Sequence, residues 1–552
     1  MSADPSAKRR RAWTIVMIVS GTAAFALAYG QAPLYYSNQN QYFLHGLAAA
    51  GEGSLREDWL AGTADPTPLF SSLVAGTARL LHPWAFHVYQ ALLQVAYALA
   101  MLGLFSVVAG PSTAVQRWPI FLLGLVLIHS ALLRTLSCRI FGLDYPWYAQ
   151  SGVAGQYVLG AMLQPSVFGV LLVVAIWLFA RGQHFAAAIC VALAALEHFT
   201  YALPGAFLTA GFIAALAIQG RVRRAAALAG LTLAMVSPAA LFQWLRFQPT
   251  TPASFAQAQA VLVNLRIPHH ARVDQWLDLI AGLQIAWVVL GLVLVWRTPL
   301  FVVLGVPAAL AAAMTIVQVV TGSDALALLF PWRISAVLVP VATTIVLSRL
   351  VGIWGTPPGV LETTGSPRGD PHSNYLSALC GTLCALLAGA GLWISIGGFA
   401  FGSRDEEREL LDHVRGAHKP GETYLIPVRV PDLSKIRGSK SGDFQPVAAR
   451  KSDQGLIPID LQRFRLATGA PTFVDFKSIP YKDVDVIEWR DRLKLAEKWY
   501  AEIAADKSGS ATREMSREGI THVVVPAGPP LDDSDLQLVH AGKHYHVYRL
   551  RK

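Results

Sequence analysis

The chain has 552 residues, of which 54% are hydrophobic and only 14% are charged. A soluble surface needs about a quarter of its residues charged, so several soluble domains are excluded and most of the chain is predicted to lie in lipid. The net charge of +10 is not gathered into a basic patch, which excludes a nucleic-acid binder, and the composition also excludes a disordered chain and a secreted disulfide-bonded scaffold.

The charged residues are distributed unevenly. Residues 1–402 hold 20 Lys and Arg and 12 Asp and Glu, whereas residues 403–552 hold 25 and 23. The sequence therefore predicts an α-helical polytopic membrane protein, with a transmembrane domain over residues 1–402 and a soluble C-terminal α/β domain over residues 403–552.

Eleven apolar stretches are long enough, or nearly long enough, to cross a bilayer. They lie near residues 13–33, 84–109, 118–134, 157–180, 185–201, 203–219, 225–245, 276–296, 300–320, 331–354 and 376–401. The basic run from Lys8 to Arg11 predicts a cytoplasmic N-terminus, and the first stretch is long enough to favour an uncleaved anchor over a signal peptide. Eleven crossings then predict an outer loop at 34–83, a cytoplasmic loop at 355–375 and an extracytoplasmic C-terminal domain.

The first outer loop holds acids close to the predicted membrane surface. Glu57 and Asp58 come directly before Trp59, and Asp65 follows shortly after. Carboxylates in this position can act as general bases or bind a divalent metal ion. The alternative is a solvated acidic loop, because many acids in loops have no catalytic role.

Other polar residues fall at the same predicted face. Glu197 and His198 end the fifth stretch, and an ionisable pair at that depth usually faces the protein interior or a wet cavity. Candidate contacts to an anionic lipid headgroup lie in later loops and helix ends: Arg266, His269, His270 and Arg333. The alternative for Glu197 and His198 is a hydrogen-bonded structural pair. The alternatives for the later residues are a weak metal site at the two histidines and arginines whose side chains reach to the membrane interface.

The C-terminal domain alternates helices and strands. Helices are predicted at 405–414 and 483–506, and strands at 423–428, 471–476, 521–526 and on both sides of the turn at Ala541-Gly542. No phosphate-binding glycine loop or nucleophile elbow occurs in its sequence. The runs 463–469 and 473–481 are rich in charged residues, and Lys477 is a candidate phosphate contact, with an internal salt-bridge network as the alternative.

The layout resembles that of the C-type (GT-C) membrane glycosyltransferases, within a group of bacterial multi-pass proteins of that shape. The resemblance is carried by Tyr35-Tyr36-Ser37, Asp58-Trp59-Leu60, residues 266–270, Pro331-Trp332-Arg333 and residues 473–481. It implies transfer of a hexose or pentose from a polyprenyl-phosphate-linked sugar at the outer face of the bacterial cytoplasmic (inner) membrane. The implied partners are that lipid-linked sugar and other membrane lipids, with a periplasmic domain in the cell envelope and no nucleic acid.

The resemblance also implies roles for individual residues. The catalytic base would be Asp58, or Asp65 or Glu57 in its place, with a divalent metal left open as cofactor, and Arg333, His269 and Arg266 would hold the lipid phosphate. The sequence departs from the family in one place, because amides occupy positions 38–41, where the family has an acid, and amides do not accept a proton at neutral pH. The alternatives are therefore a protein that binds a lipid-linked sugar without transferring it, a lipid or polysaccharide transporter or flippase, and a non-catalytic assembly protein.

Overall fold

The computed structural model describes residues 5–353, 371–397, 406–428, 461–505 and 508–551, with side chains from residue 16 onward. Most of the predicted cytoplasmic loop at 355–375 and the start of the C-terminal domain at 403 lie outside the described residues. Within them, seven helices are long and apolar enough to cross a membrane, and four further apolar helices are shorter. The predicted fold, a helical multi-pass membrane body followed by a small α/β domain, is confirmed.

The helices of the body follow one another in this order: α1 (Pro5–Tyr29), α2 (Gln39–Tyr42), α3 (Leu44–Ala50), α4 (Pro68–Leu80), α5 (Trp84–Ala109), α6 (Pro111–His129), α7 (Ala131–Phe141), α8 (Tyr145–Tyr148), α9 (Val170–Ala180), α10 (His184–Glu197), α11 (Ala202–Ile218), α12 (Val222–Arg246), α13 (Pro252–Val261), α14 (Pro268–Ala271), α15 (Val273–Trp276), α16 (Leu279–Leu294), α17 (Pro299–Thr321), α18 (Asp324–Leu328), α19 (Ser335–Ile353) and α20 (Pro371–Gly397).

Helix α19 lies at the centre of the body. In an apolar window of 18 residues within the segment Asp324–Gly352, which contains most of α19, 78% of the residues are buried inside the protein, a larger share than in the windows of the other six long segments. At the periphery, α1 and α20 are in backbone contact, since a Cβ atom at Gly391 would lie 2.2 Å from the carbonyl oxygen of Leu27. Small residues permit such close approach between helices in lipid, where dispersion replaces the hydrophobic effect as the main attraction.

The fourth predicted stretch, 157–180, is only partly helical, and this prediction was wrong at its start. Helix α9 begins at Val170, and residues 151–164 form a buried irregular segment. A Cβ atom at Gly152 would lie 2.3 Å from the backbone nitrogen of Ala336, and Val153 N donates to Ser335 Oγ at 3.0 Å. Irregular backbone is tolerated at membrane depth where protein surrounds it, and glycines in the segment weaken a helix there.

The C-terminal domain contains a four-stranded sheet of order β1-β2-β4-β3, with β1 parallel to β2 and the other pairs antiparallel. Its elements are α21 (Arg408–Ala417), β1 (Tyr424–Leu425), α22 (Phe464–Thr468), α23 (Asp483–Ala504), α24 (Ser508–Arg517), β2 (His522–Pro526), β3 (Leu536–Ala541) and β4 (Tyr545–Leu550). The predicted strand at 471–476 is wrong, because it forms only a single bridge between Thr472 and Tyr424.

The C-terminal domain rests on two loops of the helical body, residues 34–82 and 247–278. In the first, Ser54 N donates to Gly469 O at 2.8 Å, and the chains approach so closely that a Cβ at Gly53 would lie 2.6 Å from that oxygen. In the second, Asp483 accepts hydrogen bonds from Thr250 and Ser254. The two loops and the C-terminal domain therefore share one face of the body.

Candidate functional site

Asp58, the residue predicted as catalytic base, joins the first loop to the C-terminal domain. Its Oδ2 accepts from Arg465 Nε at 2.6 Å and from Thr472 N at 2.9 Å, and its Oδ1 accepts from Leu60 N at 3.0 Å. Arg465 also pairs with Asp475, with 2.6 Å between Nη1 and Oδ2. The side chains of Asp58 and Arg465 are 0% and 2% exposed, so the pair is sealed from solvent.

Burial opposes the charge on Arg465, but the carboxylates of Asp58 and Asp475 outweigh it and raise the pKa of the guanidinium. The cluster therefore holds one positive and two negative charges in contact away from water. A carboxylate engaged in this way is not free to accept a proton from a substrate, and the geometry favours a structural role for Asp58 over the predicted role as base.

Glu57 and Asp65, the two alternative bases, are each engaged in a hydrogen bond of their own. Glu57 is exposed, and its Oε2 accepts from Gly421 N at 2.8 Å, which adds a second tie between the first loop and the C-terminal domain. Asp65 is half-buried, with Oδ1 accepting from Thr67 N at 2.8 Å. Of the three predicted bases, Asp65 is the one whose carboxylate makes no described contact with the C-terminal domain.

The amides at positions 38–41 shape the start of the first loop. Gln39 accepts from Tyr35 N at 2.7 Å and donates to Leu163 O at 3.0 Å, while Asn40 donates to the carbonyl oxygens of Tyr35 and Ser37. Tyr35 and Ser37 have positive φ, at 64° and 48°, a conformation that costs about 1–3 kcal/mol in non-glycine residues. These amides donate and accept together, which a carboxylate does not do, and this is a physical reason for the absence of an acid here.

Basic and phenolic side chains lie near one another at the same face, in a set called here the polar ring: Arg333, Tyr201, His198, Tyr42, Tyr481, Arg266, His269 and His270. In its first half, the Arg333 guanidinium lies 5.1 Å from the Tyr201 ring centre. The His198 ring lies 5.8 Å from Tyr201 and 5.7 Å from Tyr42. The hydroxyls of Tyr42 and Tyr481 are 3.3 Å apart, which brings the C-terminal domain into the ring.

The second half of the polar ring returns through the loop 266–270. Burial, followed by the neighbouring Tyr42, raises the pKa of Tyr481, and the positive charge of Arg266 opposes the shift. Arg266 also lies beside His269, whose ring centre is 4.0 Å from that of His270. The carbonyl oxygen of His270 accepts from Trp332 Nε1 at 3.1 Å, and Trp332 directly precedes Arg333. The predicted residues Arg266, His269, His270, Arg333 and His198 are thus brought together.

The backbone next to the polar ring is unusual at three points. Phe330 has φ 49° and directs the short 3-10 turn Pro331–Ile334 that carries Arg333. Ala154 has φ 58°, and its carbonyl oxygen lies 2.6 Å from His270 Nδ1. Arg266 ends a π-helical turn, Leu262–Arg266. Left-handed non-glycine residues and π-turns are costly locally and concentrate at functional sites.

Three buried polar atoms at the ring have no hydrogen-bond partner within the described part of the chain. They are Arg333 Nε, His269 Nδ1 and Glu197 Oε2, the last on the residue that directly precedes His198. A buried polar atom without a partner costs about 1–3 kcal/mol, so such atoms in one place call for an explanation, and a polar ligand supplies one.

Lys477, predicted as a phosphate contact, adjoins the ring through its backbone. Its carbonyl oxygen accepts from Arg266 Nη2 at 2.7 Å, and the Arg266 guanidinium also stacks on the neighbouring Phe476 ring at 5.4 Å. The positive charge of Lys477 contributes to the low pKa of His269. Lys477 therefore positions Arg266 and adds to the positive charge of the site.

His269 gives the site a predicted pH dependence. Burial lowers its pKa well below the usual value, and His270, Arg266 and Lys477 add to the shift. In the unfolded chain His269 binds a proton near pH 6.5, whereas in the folded chain it does not. Its contribution to the free energy of unfolding is therefore fully present above that pH and falls as the pH drops below it, by up to about 1.4 kcal/mol per pH unit. We expect His269→Asn to lose less thermal stability than wild type between pH 7 and pH 5, measured by melting in detergent. His82→Asn, at an exposed position, is the control, and equal losses in His269→Asn and wild type would contradict the prediction.

Among the cavities of the described residues, two are lined by no residue of the polar ring. One, of about 380 Å³, lies between the first loop, the end of α12 and the start of α23, and the other, of about 200 Å³, lies at the opposite end of the helical body. Across the same part of the chain, no three His, Cys, Asp or Glu side chains gather in a way that would hold a metal ion. The donor set therefore does not fit the divalent metal left open above, and no chemical step is assigned to one.

Sequence reasoning missed the residues that complete these clusters. Tyr481 stands in the charged run 473–481, but nothing in the sequence shows that it meets Tyr42, a phenol in the first loop. Arg465 and Asp475 lie in the charged runs for which an internal salt-bridge network is the alternative, but the sequence does not show that Asp58, 407 residues before Arg465 in the chain, is a partner.

The fold and the polar ring define a multi-pass helical membrane protein with a compact α/β domain on one face. Residues 449–496 match the family model DUF6798, described as a domain of unknown function, and this short segment includes Arg465, Asp475 and Tyr481. No curated protein matches the chain.

Among solved structures, the chain is similar to the crystal structure of ArnT from Cupriavidus metallidurans bound to undecaprenyl phosphate. The likeness covers 98% of both chains, with 12% sequence identity and a TM-score of 0.46. It extends over the whole layout of the chain. At this identity and TM-score it carries no conclusion about the activity or the ligand of this protein.

Proposed function

We propose that this protein is an integral membrane glycosyltransferase that takes a sugar from a polyprenyl-phosphate-linked donor at the outer face of the cytoplasmic membrane. In this proposal the N-terminus is cytoplasmic and the domain over residues 403–552 is extracytoplasmic. The observation that carries it is the polar ring, which gathers two arginines, three histidines and three tyrosines on one face of a helical membrane body.

A lipid phosphate matches this set of groups chemically. Guanidinium groups bind phosphate oxygens through charge-assisted hydrogen bonds, which are about twice as strong as neutral ones. Arg333 Nε and His269 Nδ1 are buried without a described partner, so a ligand that engages them recovers free energy that the empty site lacks. The eight residues of the ring include two arginines and no carboxylate, and Glu197 adjoins it through His198, so the ring is positive overall, as a phosphate requires.

In this proposal Glu197 supplies the carboxylate that accepts the proton of the acceptor hydroxyl. It directly precedes His198 in the polar ring, it is half-buried, and its Oε2 has no partner among the described residues. Asp58 is held by Arg465, and Glu57 by the backbone of the C-terminal domain. Asp65 is the second candidate for this role.

The binding step is tested with undecaprenyl phosphate and purified protein in detergent. We expect Arg333→Gln and Arg266→Gln each to raise the Kd by about ten-fold, since a charge-assisted contact contributes roughly 1.5–3 kcal/mol. Arg272→Gln is the matched control, because Arg272 lies on the same loop but pairs with Asp274 at the surface. Melting temperatures identify any variant that is misfolded, and equal Kd values for folded ring variants and the control would refute the proposal.

A second candidate is a protein that binds a lipid-linked sugar without transferring it. The observation that favours it is the engagement of Asp58 and Glu57 in contacts between the first loop and the C-terminal domain. The two candidates are distinguished by incubating the purified protein with a polyprenyl-phosphate-linked sugar and membrane lipid acceptors and analysing the products by mass spectrometry. Release of the free polyprenyl phosphate together with a glycosylated acceptor supports the transferase, and tight binding without either product supports the second candidate.

A further inference from the structure

A second polar cavity lies at the end of the helical body opposite the polar ring. It has a volume of about 200 Å³ and lies among the ends of α5, α9 and α16, the starts of α10 and α17, and the segment after α11. Its polar lining residues are His184, Gln219, Arg221, Thr298 and Arg349. Nothing in the proposed transfer reaction uses these residues.

The same helices connect the two sites. Helix α10 begins at His184 in this cavity and ends at Glu197 beside the polar ring, and α19 carries Arg349 while Arg333 lies two residues before its start at Ser335. At about 1.5 Å per residue, the chain between Arg333 and Arg349 rises about 24 Å, most of the thickness of a bilayer's hydrocarbon core. The cavity therefore lies near the second boundary of the membrane.

The charge at this end is positive and has no compensation in the described residues. Arg221 is exposed and Arg349 is half-buried, and neither belongs to any of the ion pairs of the described chain. Arg349 Nη2 donates to the carbonyl oxygen of Leu294 at 3.0 Å, which fixes the guanidinium at the cavity. In the helical body, the described carboxylates all lie towards the face that carries the polar ring.

The remaining wall of the cavity is apolar. It includes Val108, Phe179, Leu300 and Val303, and the Phe179 ring stacks on Phe212 at 4.2 Å, which gives the wall a rigid base. A cavity with arginines on one side and hydrocarbon on the other matches an amphiphile that carries a negative headgroup. An arginine that only reaches to the interface needs no cavity, whereas here two of them border the same enclosed space.

We propose that this cavity binds an anionic phospholipid, with its phosphate against Arg221 and Arg349 and the first carbons of its acyl chains against Val108, Leu300 and Val303. The site is independent of the proposed transfer reaction. A free inorganic phosphate also matches the two arginines. The apolar wall favours the lipid, because inorganic phosphate has no hydrocarbon to bury against it.

The test uses the full-length protein in detergent with phosphatidylglycerol, phosphatidylcholine and inorganic phosphate as separate probes, measured by native mass spectrometry. We expect the wild type to retain phosphatidylglycerol in preference to phosphatidylcholine. The double variant Arg221→Gln/Arg349→Gln should weaken phosphatidylglycerol binding by about ten-fold or more. Arg223→Gln/Arg297→Gln is the matched control, because these exposed arginines lie at the same end and do not line the cavity.

A second variant, Val108→Phe, narrows the cavity without removing a charge and serves if the arginine variants do not fold. It should weaken phosphatidylglycerol binding and leave the weak binding of inorganic phosphate unchanged. Equal retention of phosphatidylglycerol in the cavity variants and in the control overturns the proposal, as does inorganic phosphate binding as tightly as the lipid. These lipid-binding results can be obtained whether or not the protein transfers a sugar, so the two proposals are tested separately.

Discussion

Replacing Asp58 with Ala is expected to lower the free energy of unfolding by about 3 kcal/mol, because it leaves the guanidinium of Arg465 buried with one partner instead of two. Breaking a buried ion pair costs about 3–5 kcal/mol, and the remaining contact with Asp475 places this case at the lower end. The loss also removes the hydrogen bonds to Leu60 N and Thr472 N, so the first loop is expected to separate from the C-terminal domain before the rest unfolds.

The measurement is thermal or denaturant unfolding in detergent, together with limited proteolysis of the loop at 34–82. Glu57→Ala is the matched control. The Glu57 carboxylate, next to Asp58 in the chain, is exposed, and an exposed contact contributes about 0–1 kcal/mol to the free energy of unfolding. Asp58→Asn separates the two roles of this residue. A stable protein without transfer activity would restore Asp58 as the catalytic base, and a destabilised protein whose remaining folded fraction is active would support the ion-pair role.

Replacing Glu197 with Gln is expected to lower kcat for sugar transfer by about 100-fold or more, since general acid–base catalysis contributes roughly 10²–10⁴-fold. The side chain keeps its size and the amide does not accept a proton at neutral pH. The Kd for undecaprenyl phosphate should not rise, because removing a negative charge beside the ring does not weaken phosphate binding. Turnover and Kd are measured on the same preparation.

Asp65→Asn is the comparison for Glu197→Gln, because Asp65 is the predicted base whose carboxylate makes no described contact with the C-terminal domain. Full turnover in Glu197→Gln together with loss of turnover in Asp65→Asn would move the base to the first loop. Full turnover in both would exclude either carboxylate from the chemical step.

The helical body and the long amphipathic helix of the C-terminal domain were predictable because their signals are local. Each of the eleven predicted apolar stretches overlaps one of the seven long or four shorter apolar helices. In α23, Trp489, Leu493, Ala496 and Tyr500 stand at helical spacing, and the first three are buried while Tyr500 is half-buried. Hydrophobic length and period are properties of a short window of sequence, so they can be read without knowing what packs against it.

Local signals failed where a neighbour decided the outcome. Residues 157–164 begin the predicted apolar stretch 157–180, yet hydrogen bonds from the surrounding protein hold them in irregular form, such as those that Leu159 O accepts from the Tyr29 hydroxyl and Gly160 O accepts from Gln90 Nε2. The predicted strand at 471–476 has β-branched and aromatic residues, but Thr472 N donates to Asp58 instead of to a strand. In both cases tertiary contacts satisfied backbone groups that secondary structure would otherwise have satisfied.

The scarcity of charge and its sorting along the chain determined, from the sequence alone, that this is a multi-pass membrane protein with a small C-terminal α/β domain. The sequence also singled out Arg266, His269, His270, Arg333 and His198 as candidate ligand contacts, since charged and polar residues near a bilayer are costly unless they have a partner. Only the tertiary structure decided which of them meet, and it placed Asp58 in an ion pair with Arg465 instead of at the ring. An acid in a loop has the same local sequence whether it faces a substrate or a distant arginine, and that choice is made by the packing of segments hundreds of residues apart.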